Sequence, residues 1–466
     1  MGGEWRSSPD IYRVRSPYSD RLVGHAPLAT ADDVEAALAA AAASFRETRN
    51  LPSHRRADIL AHVAAGISER ADELSEMIML EAGKPVLFAR AEVQRAVTTF
   101  ILAAEEAKRM GGEVIPVDIE PRAEGFTCLT SRYPRGPMTA ITPFNFPLNL
   151  VAHKVAPAIA TGTPIILKPA RQTPLTAYLL AEIIEQTSWP AGALSVVYCT
   201  DDLAEKLVTD ERIRTLSFTG SDRVGWKLKN LAGKKRSLLE LGGDAAAIVA
   251  ADADLDWAAS RCAQGAFAYA GQICISIQRL FVDEKVYDAF LSRLVEATQK
   301  LPVGDPADPA TIVGPLISEE SAKRVEAWVD EARHAGARLH HGGTRNGKLY
   351  QPTIMDQMPA GIRLSCDEVF GPVVWMEPYS DFEKVLTRVN ESRFGLQASL
   401  FTRDIGRILR AWRELDVGGV VINEFPMMRV DNFPYGGVKD SGEGREGVRA
   451  AMDELTETRV LLLKAP

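Results

Sequence analysis

From residue 136 onward, short apolar runs alternate with stretches of helical periodicity, and few architectures accommodate that alternation. Met138-Thr-Ala-Ile141, Pro164-Ile-Ile-Leu167, Leu194-Ser-Val-Val-Tyr198 and Thr215-Leu-Ser-Phe218 read as strands, with helices expected over 148–160 and 175–187 between them. Strands this short and this uniformly apolar are covered on both faces, which makes the sheet parallel and the class α/β. In such a sheet a ligand lies outside the carboxyl ends of the strands. The residues that fall there are Thr142 to Asn145, Lys168-Pro169 and Thr219-Gly220-Ser221. No G-x-G-x-x-G is expected in the chain, and the standard dinucleotide fingerprint is taken to be missing. Phe218-Thr-Gly-Ser221 nevertheless precedes a helix expected to begin near Val224, which offers backbone N–H groups and a positive helix end to a phosphate; an ordinary strand-to-helix cap accounts for the same residues.

After Gly242 a second α/β set is expected, with strands at 245–250 and 279–282 and helices at 255–269, 284–300 and 318–335. A chain of 466 residues exceeds what one core organises, about 250–300 residues, so two main domains follow. Ahead of them, residues 1–28 read as surface strands and turns. Thr30-Ala-Asp-Asp33 caps an alanine-rich helix, and further helices are expected at 53–69, 71–82 and 86–109. Two extended runs within 113–134 form a ribbon with little core of its own, open to reading as a surface hairpin or as an element that pairs with another subunit.

Charge and cysteine usage narrow the function. There are 54 Lys and Arg against 62 Asp and Glu, scattered rather than blocked, which argues against nucleic acid and anionic membrane as partners. Five cysteines stand far apart, at 128, 199, 262, 274 and 366, without a C-x-x-C pair or a histidine at ligand spacing; no metal site is expected. No apolar run reaches the ~18–20 residues of a membrane helix, and Met1-Gly-Gly-Glu-Trp lacks a signal pattern, so a soluble cytoplasmic protein is expected.

A cysteine among apolar residues is by itself an inert buried thiol. The setting of Cys274 differs: it ends the small-residue turn Phe267-Ala-Tyr-Ala-Gly-Gln-Ile-Cys274, and upstream lies Leu239-Glu240-Leu241-Gly242-Gly243, a carboxylate between leucines followed by two glycines. With Thr142-Pro-Phe-Asn145-Phe-Pro147 before and Glu368-Val-Phe370-Gly-Pro372 after, the set in this order resembles the aldehyde dehydrogenase superfamily, from about residue 10 to the C-terminus. The resemblance implies two doubly wound parallel-sheet α/β domains plus a small β oligomerisation ribbon. A dinucleotide-binding domain takes 1–112 and 135–241, the ribbon 113–134 and 455–466 (Arg459 to Lys464 joining it), and a catalytic domain 242–454, whose own elements run to about 437, where Phe433-Pro-Tyr-Gly-Gly437 turns the chain back. A homodimer or homotetramer is expected.

The implied activity is NAD(P)+-dependent oxidation of an aldehyde to its acid. Cys274 attacks to give a thiohemiacetal, which loses hydride to become a thioester; Glu240, its pKa raised by burial, activates the water that releases the acid. Asn145 is the oxyanion donor, paired with the Cys274 backbone N–H. Lys168 holds the adenosine ribose and Glu368 the nicotinamide ribose, with Phe370 against the nicotinamide. Ile141, Thr142, Pro143, Phe144, Phe218, Gly220, Ser221, Val224, Leu241 and Gly242 complete the expected cofactor contacts. Two departures bear on specificity. Where many NAD-dependent members carry an acid three places after the lysine, Arg171 stands here, so NADP is expected to be accepted. Succinate-semialdehyde members carry arginines eight residues after the asparagine and five before the cysteine; here these are His153 and Tyr269, which disfavours a dicarboxylate-type semialdehyde. His153, Tyr269 and Arg429 are expected around a short polar aldehyde of the lactaldehyde or glyceraldehyde kind, with sulfonate- or phosphonate-bearing aldehydes also open. Alternatives are a CoA-acylating dehydrogenase, which the acid at 240 opposes, and a non-catalytic protein retaining the fold. Cys366 has no expected role beyond structure.

Overall fold

A computed structural model describes residues 2–464. Its first sheet has six strands in the order Gly442–Glu443, Arg236–Glu240, Thr215–Thr219, Met138–Ile141, Ile165–Lys168, Leu194–Val196. The last five run parallel, and the four from Arg236–Glu240 to Ile165–Lys168 are almost wholly buried, as their lack of polar alternation requires. Winding starts at Met138–Ile141, proceeds to one side through Ile165–Lys168, and resumes on the other side at Thr215–Thr219. That reversal opens a crevice at the carboxyl ends, where Ile141, Lys168, Thr219 and Glu240 stand.

The second sheet has seven strands, Arg338–His341, Thr353–Asp356, Val373–Tyr379, Arg279–Asp283, Ala246–Val249, Gln397–Phe401 and Gly419–Ile422, parallel except for the Arg338–His341 edge. It reverses in the same way, at Ala246–Val249. Helices Leu255–Phe267, Tyr287–Gln299 and Glu319–His334 pack on it through Cys262, Phe290, Leu294, Val325 and Val329.

The N-terminal helices follow their sequence signals closely. Helix Ala31–Thr48 opens with a capping box, Thr30 Oγ1 accepting from Asp33 N and Asp33 Oδ2 from Thr30 N. Ser53–Glu69, Ala71–Ala82 and Val86–Ala107 share a core with helix Asn149–Thr161. Thr456–Lys464 pairs antiparallel with Phe126–Pro134 along its full length, and Val114–Ile115 flanks the other side.

The chain after 437 does not stay with the second sheet, contrary to a catalytic domain ending at 454. Gly442–Glu443 hydrogen-bonds to the edge of Arg236–Glu240, and helix Val448–Leu455 buries Val448, Met452 and Leu455 among the helices of the first domain. Gly442-Glu-Gly-Arg-Glu-Gly447 spells G-x-G-x-x-G here, but on an antiparallel edge, where close backbone approach explains its ends. A Cβ on Gly442 would collide with the Leu239 carbonyl, and one on Gly447 with that of Phe433.

Candidate active site

Cys274 follows the most distorted backbone of the molecule's interior. Helix Leu255–Phe267 gives way to Tyr269 and Ala270, both left-handed (φ 52° and 54°), and then to Gly271 at φ 68°. Two consecutive non-glycine residues there cost on the order of 1–3 kcal/mol each, and such strain persists only where the surroundings fix it. The fixing is visible. The Gln272 amide donates to Tyr269 O and Pro315 O, its oxygen accepts from Ile317 N, and the Tyr269 hydroxyl donates to Ala82 O at 3.2 Å. Tyr269 is thereby committed beneath the turn. No contact with His153 or Arg429 is among those it makes: its hydroxyl goes to Ala82 O, and its buried ring lies beside the Lys84 ammonium.

The loop bearing Asn145 is tied to the same turn. Asn145 Nδ2 donates to Gln272 O at 2.9 Å, leaving its second amide hydrogen for another acceptor. Glu92 fixes the loop from below: one oxygen accepts from Leu148 N and Asn149 N at the positive end of helix Asn149–Thr161, and the other pairs with buried Lys84 at 2.5 Å. The Lys84 ammonium lies 3.6 Å from the Phe146 ring centre and 4.8 Å from that of Tyr269, so one cation spans both loops.

Glu240 ends its strand with a buried carboxyl group whose Oε2 has no partner. Burial, and then the nearby Glu446 carboxylate, push its pKa well above the ordinary carboxyl value. Burial opposes ionisation of Glu446 too, but Lys154 at 3.2 Å and Arg429 at 3.2 Å hold it at about 2. The Cys274 thiol is pushed up to about 12 by burial, against which a contact of 3.3 Å to the Tyr435 hydroxyl works.

His153, Arg429 and Asp431 form a buried group beside these. His153 Nε2 lies 2.9 Å from Asp431 Oδ1, Arg95 contacts the same oxygen at 2.6 Å, and Arg429 stands between Asp431 and Glu446. Although burial raises the Asp431 pKa, the hydrogen bonds from His153 and Arg95 hold it below the carboxylate range. His153 is held neutral, first by burial and then by Arg429. Arg95, Lys154, Asp431, Tyr435 and Glu446 are not among the sequence candidates. Lys154 carried the clearest signal: a cation on a helix that is otherwise apolar and wholly buried must have a buried partner.

The cofactor candidates gather at the strand ends of the first sheet. Lys168 Nζ is 3.9 Å from Asp201 Oδ1, and Ser221, its side chain making no cap bond, starts helix Asp222–Ala232 with Val224 half-exposed in its first turn. Glu368 accepts from Gly243 N at 3.0 Å with its carboxyl group over Gly242, and a Cβ on Gly243 would meet the Cys274 carbonyl. Burial raises Glu368 to about 8. Phe144 and Phe370 meet edge to face at 5.8 Å, Phe370 at φ 42°. Arg171 lies apart from Lys168, its guanidinium over the Tyr12 ring at 5.2 Å. The buried Thr219 Oγ1 without a partner, the open cap at Ser221 and Lys168 at the end of its own strand in the same sheet suit a polyol and phosphate, so the residues fit a dinucleotide.

The aldehyde dehydrogenase family model matches residues 5–461. The chain belongs to the aldehyde dehydrogenase family. Within it, the chain is 42% identical to 3-sulfolactaldehyde dehydrogenase of Priestia aryabhattai, covering 99% of this chain and 97% of that one. The crystal structure of aldehyde dehydrogenase 21 from Physcomitrella patens, in complex with the reaction product succinate, superposes with a TM-score of 0.98 at 41% identity, over 99% and 97% of the two chains. Glyceraldehyde-3-phosphate dehydrogenase GapN from Methanocaldococcus jannaschii, complexed with NADP, follows with a TM-score of 0.93 at 39% identity, over 97% and 99%. Among the described residues, no helix is long and apolar enough to cross a membrane.

Proposed function

We propose that the chain oxidises a short polar aldehyde with an anionic terminus to its carboxylic acid, with NAD+ or NADP+ as acceptor. One observation carries the reading: Cys274 Sγ, 3.3 Å from the buried Tyr435 hydroxyl, stands two residues after the Gln272 carbonyl that accepts from Asn145 Nδ2, and its thiol feels the charge of the buried Glu240 carboxyl, whose Oε2 has no partner. A thiolate, a base of raised pKa and an amide donor are what acyl transfer through sulfur needs. Cys274 adds to the carbonyl, and the oxygen that gains charge takes the free Asn145 amide hydrogen together with the Cys274 backbone N–H. When bound, the nicotinamide supplies the acceptor for the hydride. Glu240 then takes a proton from the water that attacks the thioester. Lys168, Glu368, Phe370, Ser221 and Thr219 would hold the dinucleotide.

The anionic terminus is supported by charge. Apart from Glu240, whose ionisation burial opposes, the cations Arg95, Lys154 and Arg429 outnumber the anions Asp431 and Glu446 around the group. Arg95 also keeps an exposed face. The three relatives named above carry in their names a sulfonate, a carboxylate or a phosphate, while others, 36–39% identical over 99% of this chain, are lactaldehyde dehydrogenases, whose named substrate is neutral. The test is a panel of short aldehydes, neutral and anionic, assayed for reduced cofactor with NAD+ and NADP+. Anionic members are expected to have the higher kcat/KM, and NADP+ to be used comparably with NAD+ because no carboxylate replaces Arg171. A hundredfold preference for neutral aldehydes, or for NAD+, would reject the corresponding half.

We also infer a homo-oligomer. Val460, Leu461, Leu462 and Leu463 are exposed in succession on one outer strand of the ribbon, and Val114 is exposed on the strand at its other edge. An uncovered edge of consecutive apolar residues invites pairing with a second copy. Sedimentation velocity at micromolar concentration is expected to give a dimer or tetramer, and a chain ending at residue 455 to sediment as a smaller species; a monomeric full-length chain would reject the inference.

A further inference from the structure

The Tyr435 hydroxyl lies 3.3 Å from Cys274 Sγ, and everything around the ring holds it there. Its backbone exchanges both hydrogen bonds with Glu446, at 2.9 and 2.7 Å, and the Arg429 guanidinium covers one ring face at 3.8 Å from the centre. The side chain is buried, and it packs with Ile275 and Leu396 as well as Cys274. A hydroxyl placed so firmly against a sulfur has two possible senses of bonding. A phenol is a good donor and a thiol a weak one, and a hydrogen bond to a charged acceptor is stronger than one to a neutral acceptor. The contact therefore stabilises the ionised sulfur relative to the thiol, working against the burial that raises the thiol's pKa. Arg429, on the far side of the ring, adds positive potential in the same direction. The groups that act against it are the Glu240 and Glu368 carboxyls, both kept protonated to higher pH by burial. Behind them, Lys154 and Glu446 neutralise one another.

We propose that Tyr435 is a catalytic residue that donates its O–H to the Cys274 thiolate, stabilising and aiming the sulfur before attack. Tyr435 keeps its own proton throughout: the thiol proton leaves to water, and the phenol serves as a fixed donor rather than as a base. The inference rests on Cys274 being the nucleophile, and its test is independent of turnover. Iodoacetamide alkylation of Cys274 is followed against pH in the full-length protein without aldehyde or cofactor, the modified residue being located by peptide mass. In Tyr435→Phe, alkylation at pH 7 is expected to slow about tenfold or more, because a hydrogen bond to a charged group is lost. The inflection should move to higher pH, and kcat/KM should recover as pH rises. Substituting 3-fluorotyrosine at 435, nearly isosteric with a more acidic phenol, is expected to move the inflection the other way, and covers a failure of the phenylalanine variant to fold. Unchanged inflections in both proteins, with unchanged melting, would overturn the proposal. Alkylation confined to other cysteines would instead mean that the sulfur at 274 is not reactive, which overturns the reading beneath it.

Discussion

Cys274→Ser is expected to lose aldehyde oxidation by on the order of 10⁴-fold or more while melting at the same temperature, since removing the central nucleophile of a covalent mechanism costs about that much. The substitution swaps one atom for a smaller one at a half-buried position, so the packing of Ile275, Leu396 and Tyr435 around it survives. What changes is the chemistry. A hydroxyl stays protonated under conditions where the thiol, aided by Tyr435, reaches a useful ionised fraction; and this site lacks the imidazole base that activates serine elsewhere, His153 being committed to Asp431. The strain at Tyr269 and Ala270 gives a second reason to expect a concentrated loss. Backbone energy is being used to present this one side chain. The assay is the appearance of reduced cofactor with the best substrate of the panel, alongside a melting curve. A serine variant within tenfold of the parent would remove sulfur from the mechanism, and with it the assigned roles of Glu240 and Asn145.

How much of this was legible beforehand depended on whether a residue's partner is near in sequence. The helices were, since Thr30 meets Asp33 within one turn and the 3.6-residue spacing repeats within Ser53–Glu69. The first sheet was, because strands buried on both faces carry no polar alternation. Cys274, Glu240 and Asn145 stood out through the small or apolar residues on either side. Tyr435, Asp431 and Glu446 did not, because their partners lie 161, 278 and 292 residues away, at Cys274, His153 and Lys154. Five strands of the second sheet and the return of 442–455 to the first domain were hidden for a related reason. A two-residue edge strand such as Gly442–Glu443 has no periodicity to read, and only the open edge of Arg236–Glu240 gives it a place. Tyr269 misleads in the opposite sense: near the nucleophile in sequence, it turns its hydroxyl away to Ala82.

Glu240→Gln separates the two halves of the reaction. Thiohemiacetal formation and hydride loss need no proton from Glu240, so the variant is expected to release a burst of one reduced cofactor per active subunit. It should then stall, with steady turnover down by about 10²–10⁴-fold, the usual contribution of a general base. Glutamine is nearly isosteric and cannot accept the water's proton. A CoA-using enzyme would behave differently, because a thiol acceptor deprotonates readily without this base, and adding CoA would restore turnover. The pH dependence carries an independent sign. Only the ionised form of Glu240 can act, and burial and Glu446 raise its pKa, so deacylation in the parent falls as pH drops through that raised value and the limb vanishes in the variant. Stability moves the other way. Between the ordinary carboxyl value and the raised one, the folded state binds a proton that the unfolded state has lost, so folding becomes less favourable as pH rises through this window. Glu240→Gln removes that penalty, and its melting temperature is expected to equal the parent's near pH 4.5 and exceed it at pH 8. A slow variant that melts lower at pH 8 would mean that Glu240 is ionised and paired in the resting protein, and a variant without a burst would mean that it acts before hydride transfer.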